Sequence, residues 1–150
     1  MNEILAYYRI FDTLATSGQP TSQQFSAIAS DGYEIVINLA LPTSKYAIAN
    51  EREIVSSLGM SYVHIPVDAE KPKVSDVLDF FSVMQSFQNK KVWVHCALNM
   101  RVSCFVYLYR VCVLHHSESE SQFPMTVIWE PPAAWQELMD SVRKIHVPPM

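Results

Sequence analysis

The chain has 150 residues, a length that predicts a single domain over residues 1–150 with a sizeable buried core. Apolar and aromatic residues make up 49% of the sequence and charged residues only 17%, which excludes intrinsic disorder for most of the chain. The formal charge is −4, and the basic pair Lys90-Lys91 is too short to follow a phosphate backbone. We therefore expect no nucleic-acid partner.

The sequence also bears on location and on cysteine chemistry. No apolar run reaches the roughly 18 residues of a membrane span, and Met1-Asn2-Glu3 lacks the positive charge of a secretory signal. We expect no membrane association and a cytoplasmic location. Cys96, Cys104 and Cys112 lie in one apolar segment with neither disulfide nor metal-ligand spacing, so we expect reduced thiols.

The predicted elements begin after ten residues that show no clear pattern. The β-prone run Thr13–Thr16 predicts a strand, which ends at the turn formers Ser17-Gly18-Gln19-Pro20. A helix capped by Thr21 or Ser22 and closed by Gly32 follows. It leads directly into Tyr33–Leu39, a short β-branched run typical of a strand buried on both faces.

The same cycle of helix and strand continues along the chain. A helix over residues 50–58, closed by Gly59, leads into the strand Ser61–Val67, and a helix capped near Ser75 leads into the strand Val92–His95. This alternation predicts an α/β fold. We expect a mainly parallel central sheet of four to five strands with helices on both faces.

The last third of the chain predicts mostly helix. Val102–Leu114 is apolar all round, which predicts a helix buried inside the fold. His115–Gln122 is predicted to be a solvated polar loop in which the adjacent histidines bind no metal, and Pro124–Ile128 shows no assignable pattern. Pro131-Pro132 starts a final helix over residues 133–144.

Ligands of open parallel sheets bind at the loops that follow the strands, which directs attention to residues 95–103. Cys96 directly follows a buried strand at the start of a helix, where backbone N–H groups and the helix dipole favour a thiolate. Arg101 adds planar donors suited to the oxygens of a tetrahedral oxyanion. The alternative is a buried hydrophobic cysteine with an arginine that points to solvent.

The run Val92–Cys96, followed by Arg101 and Ser103, resembles the signature of the cysteine-dependent protein tyrosine and dual-specificity phosphatases. That signature is His-Cys, five residues, Arg, then Ser or Thr. Residues 17–20, 35–39 and 62–67 resemble segments of small bacterial members, so the resemblance covers roughly residues 12–115. It implies a phosphatase-like fold and hydrolysis of a phosphomonoester through a cysteinyl-phosphate, with a phosphorylated substrate as partner.

The resemblance assigns roles to five residues. Cys96 matches the nucleophile, His95 the histidine that supports it, and Arg101 the phosphate-binding arginine. Ser103 matches the hydroxyl that assists release of the thiol. Asp68, which directly follows the Ser61–Val67 strand, is the expected general acid, with Glu70 as a weaker substitute or Asp68 as a simple turn residue.

The resemblance also identifies the phosphate-binding backbone. It consists of the loop residues that follow the cysteine, namely Ala97, Leu98, Asn99, Met100, Arg101 and Val102. Because loop amides and an arginine supply the positive field, no metal and no cofactor are expected. The sequence does not indicate the oligomeric state or the substrate.

This loop departs from the family pattern in length and in composition. Only four residues separate Cys96 from Arg101, and Asn99 stands where the family has glycine, although asparagine tolerates a positive φ better than most residues. Either the loop is one residue shorter, or it has full length with Val102 at the usual arginine position and Arg101 displaced by one. Ser103 lies seven residues after Cys96, where the family places its hydroxyl, and this favours the full-length loop with a displaced arginine. A displaced arginine predicts weak activity on generic aryl phosphates.

Two other functions stay open at this point. The spacing of four residues also matches the active loop of rhodanese-like sulfurtransferases, in which a cysteine carries a persulfide. A catalytically inactive phosphate-binding protein would retain the loop without turnover. Outside the loop, His64 is expected to be structural, Cys104 and Cys112 to lie in the core, and Trp129 and Trp135 to pack the last helix.

Overall fold

The computed structural model describes residues 3–146 and contains one five-stranded sheet. The strands are β1 (Tyr8–Phe11), β2 (Leu14–Ser17), β3 (Ile35–Asn38), β4 (Ser61–His64) and β5 (Val92–His95). The helices are α1 (Ser22–Ser30), α2 (Glu51–Ser57), α3 (Val74–Ser86), α4 (Met100–Leu108), α5 (Glu118–Ser121), α6 (Met125–Ile128) and α7 (Ala133–His146). The predicted α/β class is confirmed.

The strand order is β1-β2-β5-β3-β4, and only the β1–β2 pair is antiparallel. In the parallel part, His95 is in register with both Ser17 of β2 and Asn38 of β3. The carboxyl ends of these central strands therefore lie level, and the loops that follow them open on one edge of the sheet. This edge carries the residues that the sequence singled out.

Each face of the sheet has its own core, because successive side chains of a strand point to opposite faces. Ile35 and Ile37 of β3 pack in the larger core with α3, α4 and α7. Val36 of the same strand and Trp93 of β5 pack in the smaller core with α1 and α2. The predicted placement of helices on both faces is confirmed.

The local signals for α1 and α2 hold in the structure. Thr21 accepts a hydrogen bond from the N–H of Gln24, whose side chain bonds back to the Thr21 N–H, so a complete capping box starts α1. Gly32 and Gly59 follow the two helices at φ values of +93° and +84°, as expected for glycines that close helices.

The prediction of a solvated loop over His115–Gln122 is wrong in part, because α5 occupies residues 118–121. Ser117 caps this short helix by accepting a hydrogen bond from the N–H of Glu120, a Ser-x-x-Glu signal that lies within the polar run. α4 begins two residues before the predicted start and continues as a π-helical segment, Tyr109–Val113. None of the helices over residues 3–146 is long and apolar enough to cross a membrane.

Candidate functional site

Cys96 lies at the floor of a small pocket at the carboxyl edge of the sheet. Its N–H donates to the Ser17 carbonyl at 3.4 Å, which extends the β2–β5 pairing by one residue and fixes the start of the loop. We call this space the cysteine pocket. Its volume is about 220 Å³, and its lining residues are Ala69, Cys96, Ala97, Leu98, Met100, Arg101 and Trp129.

Six consecutive backbone N–H groups follow Cys96 without a protein acceptor in the part of the chain that the structure describes. Within residues 3–146, the N–H groups of residues 97–102 donate to no backbone carbonyl and to no side chain, and the first bonded N–H is that of Ser103, to Asn99 at 2.9 Å. We call these six groups the amide cup. They include the N-terminal donors of α4, where the helix dipole favours negative charge. Such a set of donors is suited to an oxyanion.

Gly18 determines how the first peptide of the loop is oriented. The Ala97 carbonyl accepts the N–H of Gln19 at 3.0 Å. Because the peptide unit is planar and trans, the N–H of Leu98 points in the opposite direction. A Cβ on Gly18 would lie 2.5 Å from this carbonyl oxygen, so only glycine permits the close approach of the two backbones.

Asn99 takes the backbone conformation that usually requires glycine. Its φ is +67°, in the left-handed region, directly before the first helical residue Met100. Its buried side-chain amide donates to the Ala6 carbonyl at 2.9 Å and to Thr16 Oγ1 at 3.1 Å. These bonds attach the loop to the N-terminal segment and to β2, and they hold a turn that has no glycine of its own.

Arg101 is a nearly buried cation that has no carboxylate partner among the described residues. It is 8% exposed, and its guanidinium donates to the Val67 carbonyl at 2.9 Å and to Ser44 Oγ at 3.1 Å. No acidic side chain within residues 3–146 pairs with it. Burying a charge is costly unless something of opposite sign compensates it. Arg101 lines the cysteine pocket, and its uncompensated charge therefore favours an anion in this space.

The placement of Val102 bears on the two interpretations of the loop length. Its side chain is fully buried in the larger core and does not line the cysteine pocket, whereas Arg101 does. The geometry favours the shorter loop over the displaced arginine. Arg101, the arginine that lines the pocket, comes five residues after Cys96, with four residues between them.

His95, the residue before the cysteine, belongs to a buried polar network. Its Nδ1 lies 3.2 Å from the Cys96 carbonyl, and its Nε2 lies 2.6 Å from Oε2 of Glu51 in α2. Gln19 donates to the other oxygen of Glu51 at 2.7 Å. Burial alone would raise the pKa of the Glu51 carboxyl, but hydrogen bonds from His95, Gln19 and Tyr62 outweigh burial and lower this pKa.

Ser103 and Asp68 are close to the site but are engaged elsewhere. The Ser103 hydroxyl donates to the Met100 carbonyl at 2.6 Å and accepts the indole N–H of Trp129 at 3.1 Å. The exposed Asp68 accepts the N–H of Glu70 at 2.9 Å and does not line the cysteine pocket. Its two chain neighbours do contact the site, since the Val67 carbonyl binds Arg101 and Ala69 lines the pocket.

The other cysteines and the histidine pair take no part in this pocket. Burial raises the pKa of the Cys104 thiol to about 12, which suits the predicted core role. Cys112 is also buried. Among residues 3–146, no group of three His, Cys, Asp or Glu side chains converges as a metal site would require.

Sequence reasoning missed three residues of the site. Trp129 was expected only to pack the last helix, yet it forms one wall of the cysteine pocket. Ser44 and Glu51 come from the segment after β3 and from the start of α2, and no motif marks either of them. The signal for Glu51 is indirect: an acidic residue in the first turn of a helix that follows a central strand.

The chain is similar to known proteins in both sequence and structure. A family model described as "DSP-PTPase phosphatase fused to NAD+ Kinase" matches residues 12–140. A DUF442 protein from Shewanella putrefaciens CN-32, classed as a candidate phosphatase, shares 36% of its sequence with this chain. Its crystal structure superimposes on this one with a TM-score of 0.88. The match covers 97% of this chain and 95% of that one. No curated protein matches significantly.

More distant structures share the fold alone. Tk-PTP in its active form is 16% identical with a TM-score of 0.77, and the match covers 93% of this chain and 97% of that one. PTPMT1 in complex with PI(5)P is also 16% identical, with a TM-score of 0.78 and coverage of 93% and 95%. The α/β architecture of this chain is therefore also found in proteins of low sequence identity.

Proposed function

Because the chain belongs to the dual-specificity and tyrosine phosphatase family, we propose that it hydrolyses a phosphomonoester through a cysteinyl-phosphate intermediate. One observation carries this proposal above the others: Cys96 lines a pocket together with Ala97, Leu98, Met100 and Arg101, whose N–H groups bond to no acceptor within residues 3–146, and the nearly buried Arg101 has no carboxylate partner there. Because these N–H groups and the arginine carry positive charge that no acidic side chain of the described residues offsets, they suit the binding of a dianionic phosphoryl group beside the nucleophile.

The first step transfers the phosphoryl group to sulfur. The Cys96 thiolate attacks phosphorus, an S–P bond forms, and the ester P–O bond breaks. The amide cup and Arg101 bind the equatorial phosphoryl oxygens, on which charge is spread in the transition state. The leaving oxygen takes a proton from the carboxyl group of Asp68, which the segment between Val67 and Ala69 brings to the pocket when substrate binds.

The second step returns the enzyme to its starting state. Water attacks the phosphocysteine and gives a proton to the Asp68 carboxylate, the P–S bond breaks, and inorganic phosphate leaves from the thiolate. In its present position the Ser103 hydroxyl donates to Met100 instead of to sulfur. We therefore expect slow turnover of simple aryl phosphates, since both the general acid and the hydroxyl must first be repositioned.

Trapping of the intermediate tests this function. Wild-type protein mixed with a labelled aryl phosphate and quenched in acid should contain phosphate bound through sulfur, and Cys96→Ser should contain none. Cys104→Ser is the matched control, because its thiol is buried in α4. Transfer of sulfur from thiosulfate to cyanide that depends on Cys96 would contradict the proposal and support the rhodanese alternative. Tight oxyanion binding without phosphoenzyme would support the inactive alternative.

The finer assignments belong to the same proposal. We assign Cys96 as the nucleophile, His95 as its supporting histidine and Asp68 as the general acid, with a phosphorylated substrate as partner. The three free cysteines support a reducing, cytoplasmic location, and the relative from Shewanella supports a bacterial origin. Fractionation of the native host with an antibody to the chain tests the location.

A further inference from the structure

Glu51 is a buried carboxylate that the proposed reaction does not use. It lies in the first turn of α2, is 4% exposed, and is separated from His95 by 44 positions in the sequence. Carboxylates are almost never buried to this degree unless they are paired. Both of its oxygens are occupied, one by Nε2 of His95 at 2.6 Å and the other by the Gln19 amide at 2.7 Å.

The partners of His95 indicate how its ring is protonated. Nε2 faces the Glu51 carboxylate, and Nδ1 faces the carbonyl oxygen of Cys96 at 3.2 Å. Neither oxygen can donate a hydrogen, so a ring with N–H groups on both nitrogens satisfies the two contacts and a neutral ring satisfies only one. The ring is fully buried and contacts the edge of Phe25, so water does not offer an alternative partner.

We propose that Glu51 is a positioning residue that keeps His95 doubly protonated, so that a positive charge next to Cys96 stabilises its thiolate. The carboxylate offsets the cost of burying an imidazolium, and the His95 ring transmits the effect to the residue that follows it. This inference rests on the proposed function only in taking Cys96 as the reactive group.

The groups around the Glu51–His95 pair support this arrangement. Tyr62 of β4 directs its hydroxyl toward Glu51, and burial together with the charge of Glu51 raises the pKa of this phenol, which stays a neutral donor. Arg52 of α2 lies over the Tyr62 ring at 5.0 Å. Glu53 of α2 and His64 of β4 line the same outer pocket as Glu51. His95 is thus the titratable group in closest contact with the carboxylate.

The variant Glu51→Gln tests the proposal, because it retains the size of the side chain and removes its charge. We expect the rate of Cys96 alkylation by iodoacetamide at pH 6.5 to fall about tenfold and the pH profile of alkylation to move upward. Glu53→Gln is the matched control, an exposed glutamate in the same helical turn that should leave the profile unchanged. An unchanged profile in folded Glu51→Gln would overturn the proposal.

A spectroscopic measurement on the wild type removes the dependence on variant folding. In protein labelled with ¹⁵N-histidine, His95 should show two protonated ring nitrogens at pH 7.5, and its signals are identified by their loss in His95→Gln. One protonated nitrogen would overturn the proposal. Glu51→Asp, which retains the charge, should restore part of the alkylation rate. None of these readouts requires turnover, so absence of phosphatase activity in the wild type would contradict the proposed function alone.

Discussion

Replacing Gly18 by alanine tests whether the close approach of β2 to the cysteine loop holds the amide cup in shape. The new Cβ would lie 2.5 Å from the Ala97 carbonyl oxygen, whereas ordinary contact begins at 3.4 Å, so the backbones must separate by about 0.9 Å. The same shift weakens the bond from the Gln19 N–H to this carbonyl. We expect the free energy of unfolding to fall by about 1–3 kcal/mol and the affinity for an oxyanion to fall about a hundredfold.

The assay is a titration with orthovanadate, followed by the intrinsic fluorescence of the tryptophan in the pocket wall, with urea unfolding measured in parallel. Gly59→Ala is the control, since its φ of +84° makes alanine unfavourable while no atom lies within 4 Å of the new Cβ. This control should lose stability and retain the affinity for vanadate. Equal vanadate affinity in Gly18→Ala and wild type would show that the close approach at Gly18 does not hold the amide cup in shape.

Three further predictions address single residues of the site. The free energy of unfolding in urea should be about 1 kcal/mol lower for Asn99→Ala than for Asn99→Gly. Both variants lose the bonds to Ala6 and Thr16, but only alanine is strained at φ +67°. Equal free energies of unfolding would contradict this. Arg101→Lys should weaken vanadate binding about tenfold, since an ammonium lacks the planar donors, and unchanged affinity would count against a role in binding. The pKa of Glu51 lies below its usual 4.5, so its contribution to stability is present above that pH and is lost as the pH falls. The stability difference between wild type and Glu51→Gln should therefore shrink on acidification, and a constant difference would contradict this.

Much of the architecture could be predicted because local and periodic signals agree. The strand Val92–His95 has the same bounds in the prediction and in the structure, since β-branched and aromatic residues run between polar turns. The order of helices and strands then places Cys96 at the carboxyl edge of a parallel sheet. The assignment of residues 1–150 to a single domain stays a prediction.

The contacts that complete the site could not be predicted in the same way. Ser44 and Trp129 reach Arg101 and the cysteine pocket from segments far away in the sequence, and no periodicity encodes such pairings. α5 and its Ser117 cap lie in a polar run that predicts a loop, and a helix of four residues is too short to show an apolar periodicity. The loop length was also ambiguous, since the register of Ser103 and the spacing to Arg101 favour different alignments.

Amide NMR during a titration with inorganic phosphate shows whether the backbone after Cys96 binds an oxyanion. We expect saturable downfield shifts of the amide protons of residues 97–102, with little change in the α1 amides as an internal reference. In Arg101→Lys the phosphate affinity should be lower, and the same amides should respond. Shifts that are absent from residues 97–102, or that arise at another part of the surface, would contradict the claim.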